Sequence, residues 1–312
     1  MSERRSARGL GEVYDISNPA VVKFGERVNY GQQMQELVDP FNFLDEVSRR
    51  IEAGAYPVFF SNHNQHLNIG GFREVITHLS ARPENLYVAV AHSLVNEGQD
   101  PKIVAFGKSM APILANDAIH MIPVAREKDL EKLKKDSEEK AEVAARDTFH
   151  NLRHLSLTLK EDAGFIFFPE ATTEGAVKVN GKRSGMIEVT DNLFEWVMSN
   201  AQRYGRELVF VPVGMVDTNR ILEPRTSNAH VRPKLEILKD RVSHQLGIDM
   251  GPISKLAKVV VGQPFDMYDI WESGVGKLEN GKFVFDDDSA LNTYMMRQVA
   301  VLLRKEDRGF YK

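Results

Sequence analysis

Tyr56-Pro57-Val58-Phe59-Phe60-Ser61-Asn62-His63 is the stretch that decides the fold. Its compact apolar run is too short for a core helix and reads as a buried strand, with polar residues delivered at its carboxyl end. Just before it, Phe43, Leu44, Val47 and Ile51 recur at helical spacing, and Gly54 stops that helix. Downstream, Phe72 to Leu79 has a helical pattern, and further short strands are expected over Leu86 to Ala91, Ala118 to Val124, Gly164 to Phe168, Glu207 to Val213 and Lys258 to Gly262. Helices are expected over Arg126 to Leu159, Asp191 to Tyr204 and Ala290 to Arg304. Strands that alternate with helices argue an α/β sandwich: a mixed, mostly parallel central sheet flanked by helices. In such sheets catalytic residues gather at the carboxyl ends of strands, and His63 and Glu170 both fall where a predicted strand ends.

A chain of 312 residues can bury a substantial core. The sequence divides into an N-terminal segment over residues 1–40, helical or irregular, and one domain over residues 41–312. With 40 basic and 44 acidic residues the net charge is -4, which argues against a nucleic-acid partner. There is no cysteine, so disulfides, thiolate zinc sites and an acyl-cysteine intermediate are excluded. No run reaches the ~18 apolar residues of a membrane span. The Arg-rich start has no apolar segment of a secretory signal, so the expected location is cytoplasmic, with an organellar lumen left open.

Several residues carry candidate chemistry. An imidazole at His63 can take a proton from an alcohol near neutral pH. Asn68, five residues on, has a carbonyl able to orient that ring, or it caps the helix that follows. Two histidine pairs, His63 with His66 and His150 with His154, have metal-compatible spacing, but neither has a cysteine or a third carboxylate ligand nearby, so no metal is expected. Gly107-Lys108-Ser109 has Lys102 where a phosphate-binding loop needs its first glycine, which excludes a nucleotide loop. Arg126 ends the strand Ile122-Pro123-Val124 and can fork onto an oxyanion, or it is the first charge of a solvated helix. Glu170 follows Phe167-Phe168-Pro169 and can order substrate hydroxyls or brace the histidine loop. Lys178, Lys182 and Arg183 surround the turn Asn180-Gly181, either as cations for an anionic ligand or as a solvated turn.

Taken in order, Ser61-Asn62-His63 with Asn68, Ile122-Pro123-Val124-Ala125-Arg126, Phe167-Phe168-Pro169-Glu170-Ala171-Thr172 and Val211-Pro212-Val213 resemble the motif series of the glycerolipid acyltransferases. The late Val261-Gly262-Gln263-Pro264 fits the same series, so the resemblance runs from about Phe43 to Pro264. It is nearest to the soluble glycerol-3-phosphate acyltransferases of plastid type. Three positions depart from the family pattern: Asn68 stands for the aspartate of His-x4-Asp, Ala171 for a glycine and Thr173 for an arginine.

The resemblance implies an enzyme that moves a fatty acyl chain from acyl carrier protein or coenzyme A to glycerol 3-phosphate. In it His63 is the general base and Asn68 its orienter, while Glu170 and Thr172 bind the acceptor and Arg126, Lys182 and Arg183 hold its phosphate. Oxyanion donors are expected among backbone N–H groups near Asn64. No cofactor is implied beyond the thioester co-substrate, and a transient membrane surface is left open as a partner. Two alternatives stand beside this reading: an acyltransferase for a non-phosphorylated acceptor, and a catalytically weak acyl- or carrier-binding protein of the same fold.

Overall fold

The computed structural model describes residues 35–63, 69–91, 118–170, 177–179, 182–189, 192–216, 257–285 and 287–312. The chain forms β1 (Gln35–Val38), α1 (Phe43–Glu52), β2 (Tyr56–Ser61), α2 (Ile69–Thr77), β3 (Asn85–Ala91) and β4 (Ile119–Val124). There follow α3 (Glu127–Asp136), α4 (Glu138–Thr158), β5 (Ala163–Phe167), the hairpin β6 (Val177–Val179) with β7 (Lys182–Ser184), and α5 (Leu193–Tyr204). The last elements are β8 (Leu208–Val216), β9 (Ala257–Val261), α6 (Met267–Glu272), the hairpin β10 (Lys277–Glu279) with β11 (Lys282–Val284), and α7 (Asp288–Ala300).

Seven strands form one sheet in the order β1-β9-β8-β2-β5-β3-β4. From β8 to β4 all neighbours are parallel; β9 pairs antiparallel to β8, and β1 runs parallel to β9. The fold is therefore α/β with a mixed, mostly parallel sheet. Both faces of β2 are covered, so every residue of this strand is buried. Alternate side chains enter opposite layers. Val58 and Phe60 join Phe165, Phe167, Phe194 and Phe210 on one face, whereas Phe59 joins Phe72, Ile76, Ile166 and Val211 on the other. On the first face, Phe60 meets the rings of Phe194 and Phe265 edge-on at 5.2 and 6.2 Å, a geometry that aromatic quadrupoles favour.

The structure departs from the sequence reading in places. Gln35–Val38 pairs along β9, so the sheet takes in four residues ahead of the boundary expected at residue 41. The single charged helix expected over residues 126–159 is two helices, because Ser137 adopts an extended conformation and its Oγ accepts the Lys140 N–H to start the second. Both small hairpins and α6 add elements that periodicity did not mark. Among the described residues, no helix is long and apolar enough to cross a membrane.

Candidate functional site

The central strands β2 and β5 pair through Val58↔Phe165, Phe59↔Ile166 and Phe60↔Phe167. Carried three residues beyond the last of these pairs, the same register sets His63 opposite Glu170. The two meet there: the His63 backbone N–H donates to Glu170 Oε2 at 2.6 Å. The other carboxylate oxygen, Oε1, accepts the Ile187 N–H at 2.7 Å. Glu170 thus joins the end of β2 to the segment that follows the β6–β7 hairpin.

Glu170 is 7% exposed, and burial disfavours its charged form. Its carboxyl is pushed up to about 7; the two backbone N–H donors act the other way and only partly offset burial. The His63 ring stacks on Phe168 at a centroid distance of 4.4 Å, and Phe168 in turn meets Phe72 edge-on at 5.4 Å. One face of the imidazole therefore rests on an aromatic wall anchored in the core.

On the β8 side the same strand end is held by Asn62. Its Nδ2 donates to the Met215 carbonyl at 3.1 Å, and its Oδ1 accepts the Met215 N–H at 2.8 Å. The side-chain amide so prolongs the β2–β8 ladder past its last backbone pair, Ser61↔Val213. Ser61 is fully buried, and its hydroxyl is directed to the Asn62 carbonyl at 3.1 Å, not outward as a nucleophile. His63 is in this way fixed from both neighbouring strands, through Glu170 and through Asn62.

The remaining residues expected at a site are placed unevenly. Arg126 follows β4, the edge strand, three strand spacings from β2, or roughly 14 Å at about 4.8 Å per spacing. Its guanidinium forks onto the Asp129 carboxylate, Nε to Oδ2 at 2.7 Å and Nη2 to Oδ1 at 3.0 Å, at the start of α3. Lys182 and Arg183 lie on β7, paired with Val179 and Lys178. That hairpin leads directly into Ile187, so its foot is tied to Glu170. Asn68, Thr172 and the backbone near Asn64 lie outside the described residues.

Of the two histidine pairs, His66 is outside the described residues, while His154 packs edge-on against Tyr87 at 5.6 Å. Among the described residues no group of three or more His, Asp or Glu could hold a metal. Asn62, Phe168 and Ile187 are the site residues whose roles the sequence did not disclose. Asn62 and Phe168 lay inside the quoted motifs, but nothing in the residue order announces a ladder-mimicking amide or a stacked ring.

Neither a protein-family model nor a curated protein matches the chain. What the chain itself presents is a histidine at the carboxyl end of a central parallel strand, its backbone held by a buried carboxylate and one face of its ring against an aromatic side chain.

Proposed function

We propose that this protein is an O-acyltransferase that moves a fatty acyl chain from an acyl carrier protein or coenzyme A thioester to the hydroxyl of glycerol 3-phosphate. The observation that carries the reading is the Glu170 bridge, which brings two of the acyltransferase-like motifs together on one histidine. His63 takes the proton of the acceptor hydroxyl as its oxygen attacks the thioester carbonyl. The new C–O bond forms, the C–S bond breaks, and the thiolate leaves and takes up a proton. With no cysteine in the chain an acyl-cysteine intermediate is excluded, and on this reading transfer is direct. Glu170, with both oxygens on backbone N–H groups, acts as the brace of His63, and Thr172 would contact the acceptor. Holding hydroxyl and thioester together in one cleft supplies much of the acceleration.

The Arg126–Asp129 fork favours a second reading within the same chemistry, an acceptor without phosphate, because it commits a cation expected for that phosphate to a carboxylate. A mass-spectrometric assay decides. Purified protein and its His63→Ala variant receive palmitoyl or oleoyl thioesters with glycerol 3-phosphate, glycerol, lysophosphatidate and a panel of small amines. The expected result is an acylated product lost by ~10²-fold or more in the variant, the usual worth of a general base. Equal use of glycerol and glycerol 3-phosphate selects the second reading. Turnover indifferent to His63→Ala overturns His63 as the general base, and no turnover from either folded protein overturns the enzyme and leaves a binding protein.

A further inference from the structure

The residues that follow α7 reach back to the site. The Met186 N–H donates to the Asp307 carbonyl at 3.2 Å, and the Phe310 N–H donates to the Met186 carbonyl at 2.9 Å. The Val189 N–H donates to the Tyr311 hydroxyl at 2.8 Å, and Asn292 Nδ2 of α7 donates to the Val189 carbonyl at 3.2 Å. Between these ties lies Ile187, whose N–H is held on Glu170 at 2.7 Å. The contact is close enough to require two glycines. Gly185 has φ +84° and Gly309 φ +54°, and a Cβ on Gly309 would overlap the Met186 backbone. A Cβ on Gly185 would in turn stand 2.8 Å from the Gly309 Cα.

This segment, residues 185–189, is also the foot of the hairpin that carries Lys182 and Arg183. Tyr311 is 5% exposed, and burial pushes its hydroxyl up to about 12, so at neutral pH it is a neutral group able to accept the Val189 N–H. The contacts form one line of restraint: Tyr311 to Val189, the 186–189 backbone to Ile187, Ile187 to Glu170, and Glu170 to the His63 backbone.

We infer that Tyr311 is a positioning residue of the candidate active site, which with Gly309 holds the Ile187 N–H on Glu170 and thereby sets the backbone of His63. The inference rests on the proposed role of His63 for its catalytic consequence alone; the mechanical link stands without it.

Tyr311→Phe tests the link, because it removes one hydroxyl and keeps the ring that fills the site. Two readouts are taken, with a thermal melt as the folding control. One is the titration of the Glu170 carboxyl, followed by NMR of the labelled side chain. The other is amide exchange at Ile187 and His63 against that of β2 and β5. Loosening Ile187 withdraws a donor from the carboxylate, so the Glu170 titration is expected to move upward by about half a unit or more. Exchange at Ile187 and His63 is expected to rise several-fold with the strands unchanged. Transfer turnover is expected to fall at least threefold, with the KM for the thioester steady.

An unmoved Glu170 titration with unmoved Ile187 exchange, in a protein that folds, overturns the inference. If the melt shows Tyr311→Phe partly unfolded at the assay temperature, the same two readouts are taken at a lower temperature where it is folded, with the same expected and refuting results. A moved titration in a protein that transfers no acyl group upholds the link and overturns only the proposed reaction.

Discussion

Replacing Glu170 by Gln tests the brace without any substrate. In the folded protein burial raises the carboxyl from 4.5 to about 7. The folded value exceeds the unfolded one, so this group's stabilisation is complete below about pH 4.5 and is lost as pH rises through 7. At about 1.4 kcal/mol per unit, the wild type gives up about 3 kcal/mol over that window. A glutamine does not titrate, so its cost is the same at every pH. It has one acceptor oxygen and one NH2 group, yet two backbone donors, from His63 and Ile187, converge on the two positions. One of those N–H groups must then face another donor, a loss of about 1–3 kcal/mol for a buried unsatisfied group. At pH 4.5 the variant is expected to be the less stable protein by that amount; at pH 8 the wild type has lost its own share, and the gap closes or reverses. Urea unfolding of both proteins from pH 4.5 to 8 measures it, and other titrating groups, such as Glu195 raised by burial and by Asp288, contribute equally to both and cancel. Stability curves that stay parallel across the range would refute a buried carboxyl that titrates near neutrality.

Two further expectations follow from the same strand end. Asn62→Ala removes the side-chain amide that meets both the N–H and the C=O of Met215, so chemical unfolding should report a loss of about 1–3 kcal/mol, against little change if the amide is dispensable. On the proposed reading Asn68→Asp should raise acyl-transfer turnover, by less than the ~10⁴-fold that separates Asp from Asn in a serine-protease triad; flat or lower turnover in steady-state assays would mean a site tuned to a neutral partner, or an Asn68 that serves only as a helix cap.

The strands of the sheet's centre were legible because burial on both faces leaves them as plain apolar runs, as in Tyr56 to Phe60 and Leu208 to Val213. The strand at Gln35–Val38 escaped notice because its four residues are mixed in character, and Lys277–Glu279 because all three are exposed. His63 and Glu170 could be placed at strand ends from sequence, but their meeting depends on register. Register is set by how β2 and β5 pack against their neighbours, and a slip of one residue would turn every side chain to the other face. Ile187 was beyond reach for a different reason: its contribution is a backbone N–H, which any residue type supplies.

On the proposed reading, these restraints also bear on the missing aspartate. A carboxylate five residues after His63 would do two separate jobs, holding the ring in place and stabilising the imidazolium that forms as the acceptor loses its proton. Much of the first job is already done here. The His63 backbone is fixed by Glu170 and Asn62, and its ring lies on Phe168. The second needs negative charge, which Asn68 lacks. Glu170 is the buried carboxylate bonded to His63 itself, and it changes charge near pH 7, where the imidazole does its work. Its ionisation would place a negative charge at the His63 backbone in a buried setting, where such a charge counts for more than in water. On that reading the asparagine at position 68 withholds charge more than order, and a transfer rate that changes as Glu170 titrates near pH 7 in the wild type but not in Glu170→Gln would be its signature.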